Sequence, residues 1–182
     1  ESLLDASVVC CAMTVEGLAG SHAPFDARIQ QASRLPGQID AARRIRSLLD
    51  SDSEIRRSHE NCERVQDPYA VRCMPQVFGA VEHTLRHARD VLGAAINGVS
   101  DNPLIFGADV LSGGNFHAEP IGFVSDFLAI AVAELASISE RRIDLLDRRV
   151  NPNLNMFLAT EPGLESGFMM AHVTAAALVS EN

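Results

Sequence analysis

Aromatic residues are scarce in this sequence, which has no tryptophan, one tyrosine and an aromatic content of 5%. A large aromatic core is therefore excluded, and the interior must be built from Leu, Ile, Val, Ala and Met, which suit close-packed helices. Apolar residues make up 47% of the 182 residues and charged residues 21%, the usual balance of a soluble globular protein. A chain of this length is long enough for one sizeable core and is expected to form one domain.

Cysteine patterns that bind metal or form a disulfide framework are also missing. The four cysteines are Cys10, Cys11, Cys62 and Cys73, with no Cys-x-x-Cys pair among them. Neither kind of site is therefore indicated. Reduced and mostly buried thiols in a cytoplasmic protein are expected instead.

Signals for membranes and nucleic acids are equally weak. No basic segment followed by an apolar stretch suggests a signal peptide. The most apolar run, residues 171–180, is too short and too rich in alanine to span a bilayer. The formal charge is −9 and the basic residues are spread among acidic ones, so neither nucleic acid nor an anionic membrane is indicated as a partner.

Helical periodicity dominates what the sequence does contain. Apolar residues step by threes and fours from Gln76 to Val99 and from Pro120 to about Asp147, which predicts two long helices packed nearly parallel to their neighbours. Further helices are predicted at residues 1–19, 38–49, 52–64 and from about 166, with a connection rich in Pro and Gly at residues 21–37.

No alternation typical of β-strands appears, so the predicted fold class is all-α. Helices this long cannot cover one another fully in so short a chain. A neighbouring domain or other subunits must therefore complete the bundle.

The segment 66–73 contains the single tyrosine, Tyr69, with Arg72 three positions after it. If the chain turns helically after Pro68, the two side chains lie on one face about one turn apart. A phenol can move a proton and a guanidinium can bind a carboxylate, a combination that suits amino-acid chemistry. The alternative is a loop that enters a helix at Pro68, with the tyrosine half-buried and the arginine solvated.

Six sequence blocks together resemble one known family. In chain order they are GSHAPFDARI, VQDPYAVRCMPQVFGA, INGVSDNPLIF, SGGNFHAEP, SERRIDLL and SGFMMAHVTAAALVSEN. The combination resembles the aromatic amino-acid ammonia-lyases and covers essentially residues 1–182. Within that family, SDNPLIF, NFHAEP and VTAAALVSEN are most like the histidine ammonia-lyase branch.

The resemblance implies a fold, an assembly, a cofactor and a reaction. The implied fold is a long-helix bundle of the fumarase/aspartase-like type, incomplete in this chain, and the implied assembly is a homotetramer. The implied cofactor is 4-methylidene-imidazole-5-one, an electrophile made autocatalytically from an internal Ala-Ser-Gly, with no metal. The reaction releases ammonia from an amino acid and leaves an α,β-unsaturated acid, which is urocanate when the substrate is histidine.

The chain departs from the family in one large respect, because it contains no Ala-Ser-Gly. Its Ser-Gly pairs are at residues 112–113 and 166–167, and neither follows an alanine. We expect the electrophile-bearing loop upstream of Glu1 and a further acidic motif beyond Asn182. Residues 1–182 would then be the central helical domain of an ammonia-lyase, truncated at both ends and inactive by itself.

Four residues match active-site positions of the family. Tyr69 matches an essential tyrosine on a mobile loop, which acts in proton transfer near the electrophile. Arg72 matches the arginine that pairs with the substrate carboxylate. Gln66 matches a neighbouring polar contact to substrate or cofactor, and Phe116 matches a ring packed beside the electrophile.

Three other motifs are interpreted as structural. His83 and His87 stand one helical turn apart, but the pattern is not His-Glu-x-x-His, and a surface position is predicted. Residues 139–142, Ser-Glu-Arg-Arg, are predicted to form an ion-pairing helix face. Residues 101–103, Asp-Asn-Pro, are predicted to form a turn, with support of the site as the alternative.

Other functions stay open at this point. The same fold carries tyrosine and phenylalanine ammonia-lyases and 2,3-aminomutases, which differ in substrate and product. A non-catalytic helical assembly module is a further possibility, and an upstream Ala-Ser-Gly would argue against it. The fumarase or argininosuccinate lyase branch is disfavoured because its Gly-Ser-Ser-x-Met-Pro loop is missing from this sequence.

Overall fold

The computed structural model describes residues 1–49, 56–57 and 64–182 of the chain. Its elements in chain order are α1 (Ser2–Gly17), α2 (Ala27–Ser33), α3 (Pro36–Leu49), α4 (Tyr69–Arg72), α5 (Met74–Asn97), β1 (Leu104–Phe106), β2 (Asp109–Leu111), α6 (Glu119–Asp147) and α7 (Met169–Glu181). Short 3₁₀ helices span Ala23–Phe25 and Met156–Leu158. The all-α prediction is confirmed, and α5 and α6 are the two long helices. The predicted helix at residues 52–64 falls mostly outside the described residues.

The connection between α1 and α3 is more ordered than the sequence predicted. It contains a 3₁₀ turn and all of α2, and α3 begins at Pro36 rather than at residue 38. Asp26 explains the extra helix, because its carboxylate accepts a hydrogen bond from the Arg28 N–H at 2.8 Å and caps the start of α2. The Arg28 guanidinium also bonds this carboxylate and lowers the pKa of Asp26 to about 2.

A small hairpin after α5 is absent from the prediction. β1 and β2 pair antiparallel with Leu104 opposite Leu111, and Gly107 in the turn has a φ of 63°. Each strand has three residues, which are too few for an alternating pattern to be recognised in the sequence.

The core lies where α1, α3, α5 and α6 meet. Each of these helices contributes to one buried cluster, which includes Val8, Ile45, Phe78 and Leu135. Fully burying such a side chain contributes about 1.5–3 kcal/mol. Cys11 belongs to the same cluster, and burial raises the pKa of its thiol to about 12. Cys10 is exposed and Cys73 half-buried, so the prediction of mostly buried thiols is wrong for the described cysteines other than Cys11.

Helices α3 and α5 come into close contact at two glycines. A β-carbon on Gly37 would lie 2.5 Å from the carbonyl oxygen of Gly79, and one on Gly79 would overlap the backbone of Gln38. No side chain larger than hydrogen fits at this crossing. His83 accepts a hydrogen bond from the Gly37 N–H at 3.0 Å, so it supports the start of α3 rather than lying free on the surface.

Two charged side chains of α6 are buried, on different sides of the helix. Glu140 and Arg142 are only 4% and 3% exposed. Within residues 139–142 the ion pair is Glu140 with the half-exposed Arg141, whereas Arg142 faces α5, where it donates to a methionine sulfur. Arg141 bonds the Glu140 carboxylate and holds its pKa below the usual value. His172 lies among three carboxylates, with Nε2 2.9 Å from Glu140 Oε1 and 3.8 Å from Asp144 Oδ1, and Nδ1 3.5 Å from Asp147 Oδ2. Burial raises the pKa of Asp147.

The outer face of α6 is apolar and exposed. Phe123, Phe127 and Ile130 are among its exposed side chains, and an apolar groove of about 460 Å³ runs between α5 and α6. Within the described part of the chain, α6 is the one helix long and apolar enough, by length and composition, to cross a membrane. The same features are expected of a bundle helix whose neighbours lie outside the chain.

Candidate active site

The turn that carries Tyr69 and Arg72 starts at Pro68. The Pro68 carbonyl accepts hydrogen bonds from the N–H groups of Val71 and Arg72 at 3.0 and 3.1 Å, so the chain turns helically directly after the proline. Proline suits this place because its fixed φ leads into a helix and it has no N–H to leave unpaired. Ala70 and Val71 are buried beneath the turn, whereas Tyr69 is 68% exposed.

Tyr69 and Arg72 contact each other on the outside of this turn. The guanidinium carbon lies 4.7 Å from the centroid of the tyrosine ring, within the range of a cation–π interaction. Arg72 is half-buried, and its Nε atom is buried without a hydrogen-bond partner among the described residues. A buried N–H group without a partner is costly, and a carboxylate that reaches it through a shift of the guanidinium would remove that cost. The alternative drawn from the sequence, a half-buried tyrosine beside a solvated arginine, is therefore wrong, because the tyrosine is exposed and the arginine is half-buried.

A cavity of about 350 Å³ opens beside the turn. Gln66 and Arg72 both line it, and Ser21 and Pro24 contribute from the segment that precedes α2. Its volume lies within the range of small-molecule sites. The structure therefore brings Gln66 and Arg72 to one cavity, while Tyr69 contacts Arg72 from the exposed side of the turn.

Phe116 lies elsewhere, in the loop between β2 and α6. It is 62% exposed and is not part of the cavity that Gln66 and Arg72 line. Asn102 shapes this loop, because its side-chain oxygen accepts hydrogen bonds from the Gly113 N–H at 2.7 Å and from the Ser112 hydroxyl at 3.1 Å. The Asp-Asn-Pro motif therefore supports the loop that presents Phe116.

Two residues that shape the turn were missed by the sequence reasoning. Asp67 is 6% exposed, and its carboxylate accepts hydrogen bonds from the Ser21 N–H at 2.7 Å and from Arg64 at 2.8 Å. Arg64 also donates to the carbonyls of Leu18 and Val150. These carbonyls lie 46 and 86 positions away along the chain, so no local spacing signals the contacts.

The arrangement can bind a carboxylate and transfer a proton beside it. A guanidinium holds a carboxylate with two parallel hydrogen bonds, and an exposed phenol can donate or accept a proton. In the parts of the chain that the structure describes, no group of three or more His, Cys, Asp or Glu side chains is placed to hold a metal ion.

Sequence comparisons with known proteins agree on one family. The family profile described as aromatic amino acid lyase matches residues 1–182. A histidine ammonia-lyase from Enterobacter sp. (strain 638) is 53% identical over 184 residues, which cover 100% of this chain and 36% of that protein. The chain thus spans about a third of the length of the curated relatives it matches.

Solved structures show the same similarity. The crystal structure of histidine ammonia-lyase from Trypanosoma cruzi has a TM-score of 0.83 and 39% identity, covering 96% of this chain and 32% of that chain. Tyrosine aminomutase from Streptomyces globisporus has a TM-score of 0.84 and 36% identity, covering 98% of this chain and 38% of that chain.

Proposed function

We propose, from the premise that the chain belongs to the aromatic amino acid lyase family, that the complete protein eliminates ammonia from L-histidine to give urocanate. Identity of 51% and 53% to two histidine ammonia-lyases across the whole chain supports this substrate. The structural observation that carries the proposal is the pair formed by Arg72 and Tyr69. A guanidinium with a buried, unpaired Nε among the described residues stands beside an exposed phenol.

In this proposal Arg72 binds the carboxylate of the amino acid substrate. The carboxylate forms the paired hydrogen bonds that a guanidinium offers, and a shift of the guanidinium gives the buried Nε a partner. Gln66 lines the same cavity and makes a neighbouring polar contact with the bound substrate. Together the two residues fix the amino acid at one end and leave its side chain and amino group to reach the reacting centre.

Tyr69 transfers a proton in the reaction. Its ring lies against Arg72, so a carboxylate bound to the guanidinium brings the carbon skeleton of the substrate close to the phenol. General acid–base catalysis requires this kind of proximity between the phenol oxygen and the proton it moves. Phe116, which is exposed in this chain, would pack beside the electrophile in the complete enzyme.

The family uses 4-methylidene-imidazole-5-one, which supplies the electrophile that turns the amino group into a leaving group. We infer that this group forms from an Ala-Ser-Gly outside residues 1–182, because the sequence contains no such tripeptide. The residues present fit an active site that is completed by another segment, since Tyr69 is exposed and Arg72 retains an unpaired Nε among the described residues. No metal is proposed.

Residues 1–182 form the central helical domain of the enzyme in this proposal, and they are not active alone. The exposed apolar side chains of α6, including Phe123, Phe127 and Ile130, support assembly as a homotetramer. The free cysteines Cys10, Cys11 and Cys73 support a cytoplasmic location.

A second candidate function has the same fold but a different substrate or product. The similarity to a tyrosine aminomutase structure favours a 2,3-aminomutase or an ammonia-lyase for tyrosine or phenylalanine. An aminomutase returns a β-amino acid rather than free ammonia, so the product separates these activities. A non-catalytic assembly module would give neither product.

The test is a direct assay of the complete protein with histidine, phenylalanine and tyrosine in separate reactions. Released ammonia and the absorbance of the conjugated acid are followed together. Urocanate from histidine alone is the expected result. Cinnamate or coumarate would move the substrate to phenylalanine or tyrosine, and a β-amino acid would identify an aminomutase. If none of these products forms, the assembly module replaces the enzymatic proposal.

A further inference from the structure

The buried carboxylate of Asp67 is attached to the chain two residues before Tyr69. Both of its oxygens are engaged, Oδ2 by the backbone N–H of Ser21 at 2.7 Å and Oδ1 by Nη1 of Arg64 at 2.8 Å. The Asp67 side chain is 3% exposed, and that of Arg64 is 22% exposed. A charge-assisted bond shielded from water in this way is stronger than one on the surface.

Arg64 fixes this carboxylate to two further parts of the molecule. Its Nη1 atom also donates to the Leu18 carbonyl at the end of α1, at 3.3 Å. Its Nη2 atom donates to the Val150 carbonyl, in the segment that follows α6, at 3.1 Å. Asn151 reinforces the junction by donating to the Gly17 carbonyl at 2.9 Å.

The position of Tyr69 depends on this junction because few other contacts among the described residues restrain the N-terminal side of its turn. The tyrosine side chain is 68% exposed, and Gln66 and Val65 before Asp67 are exposed as well. On the C-terminal side, by contrast, Val71 and Met74 are buried in the core. Asp67 is thus the buried side chain that holds the entry to the turn.

We propose that Asp67, held by Arg64 and by the Ser21 N–H, is the positioning residue that places Tyr69 for proton transfer. The inference rests on the function proposed above. Asp67 lines the same cavity as Gln66 and Arg72, but both of its oxygens are already engaged, and it acts by fixing the backbone at Pro68 so that the phenol stays in its reactive place. Small displacements of a catalytic group lower the rate steeply.

The test is Asp67→Asn in the complete protein. Asparagine has the same shape but offers one acceptor and turns an NH₂ group towards the second donor, so either Arg64 or the Ser21 N–H loses its partner. We expect kcat to fall by about 10- to 100-fold and KM to change by less than about threefold, because Arg72 lies between Val71 and Met74, which are both buried in the core. Arg64→Lys, which keeps the charge but cannot reach the same three acceptors, is expected to lower kcat in the same way.

The matched control is Asp26→Asn. Asp26 is also an aspartate that accepts a backbone N–H and bonds an arginine, but it caps α2 and has no contact with the turn in the described structure. The kcat of the Asp26→Asn variant is expected to remain within about twofold of the kcat of the unaltered enzyme. Circular dichroism and size-exclusion chromatography of each variant restrict the comparison to folded, assembled protein.

A double substitution separates positioning from a general structural effect. If Asp67 acts through the phenol, Asp67→Asn adds little to the loss already caused by Tyr69→Phe, and the two effects are non-additive. If Asp67→Asn lowers kcat by the same factor in the Tyr69→Phe background, or leaves kcat unchanged in the Tyr69 enzyme, the positioning role is wrong. If Tyr69→Phe itself retains normal turnover, the catalytic function proposed for Tyr69 fails instead.

Discussion

The guanidinium carbon of Arg72 lies 4.7 Å from the centroid of the Tyr69 ring. The two side chains occupy one face of a single helical turn, and stacking restrains each of them against the other. A ligand whose carboxylate binds the guanidinium will therefore also lie next to the phenol. This coupling of a binding group to a proton-transfer group is the basis of the first two predictions.

Substitution of Tyr69 by Phe is expected to lower kcat in the complete enzyme by about 10²- to 10⁴-fold, the usual contribution of a positioned acid or base. Folding should be unaffected, because the ring is mostly exposed and only its hydroxyl is removed. Urocanate formation measures the rate, and thermal unfolding measures the stability. Turnover close to that of the unaltered enzyme would exclude the proton-transfer role.

Substitution of Arg72 by Lys is expected to raise KM and to lower kcat/KM by about 10- to 100-fold. An ammonium group cannot reproduce the paired hydrogen bonds of a guanidinium, and it has no counterpart of the buried Nε. Arg28→Lys is a suitable control, because this side chain is 89% exposed and its guanidinium bonds Asp26 rather than the turn in the described structure. Equal kinetic constants for the two variants would contradict the carboxylate contact.

Replacing Gly79 by Ala is expected to destabilise the protein by about 2 kcal/mol or more, since the added methyl group would overlap the backbone of α3. Gly93 lies on the same helix, and a β-carbon added there would meet no described atom within 4 Å apart from the adjoining backbone of α5. Gly93→Ala should therefore be neutral or stabilising by about 0.5–1 kcal/mol, as helix propensity alone dictates. Urea unfolding of both variants measures the difference, and a similar loss for both would show that the contact between α3 and α5 is unimportant.

Two of the three carboxylates around His172, those of Glu140 and Asp147, are expected to affect stability with opposite dependence on pH. The pKa of Glu140 is lowered, chiefly by its bond to Arg141, so its contribution to stability is present above the ordinary carboxyl pKa and is lost as pH falls through the lowered value. Burial raises the pKa of Asp147, so its contribution is full at low pH and is lost as pH rises through the raised value.

These signs are tested with Glu140→Gln and Asp147→Asn. The free energy of unfolding of each variant is measured relative to the unaltered protein from about pH 3 to pH 7. Relative to the unaltered protein, Glu140→Gln should become less stable as pH rises, and Asp147→Asn should become more stable. If the stability of both variants changed with pH in the same direction, the environments assigned to Glu140 and Asp147 would be wrong.

Local sequence patterns were sufficient to predict the long helices and the turn. The three-four steps of apolar residues predict α5 and α6 because an α-helix repeats every 3.6 residues whatever surrounds it. Pro68 and the three-residue spacing of Tyr69 and Arg72 likewise place those side chains on one face. The hairpin from Leu104 to Leu111 escaped prediction because its strands are shorter than any recognisable period.

The sequence by itself thus determined the helical class, the family resemblance and the shared face of Tyr69 and Arg72, since each depends on residues close together in the chain. Tertiary structure alone decided which charges are buried, because the burial of Glu140 depends on α7 packing over α6. It also decided that Asp67 meets the Ser21 N–H, 46 positions away. Contacts between distant segments follow from the packing of whole helices, and no local pattern of residues encodes them.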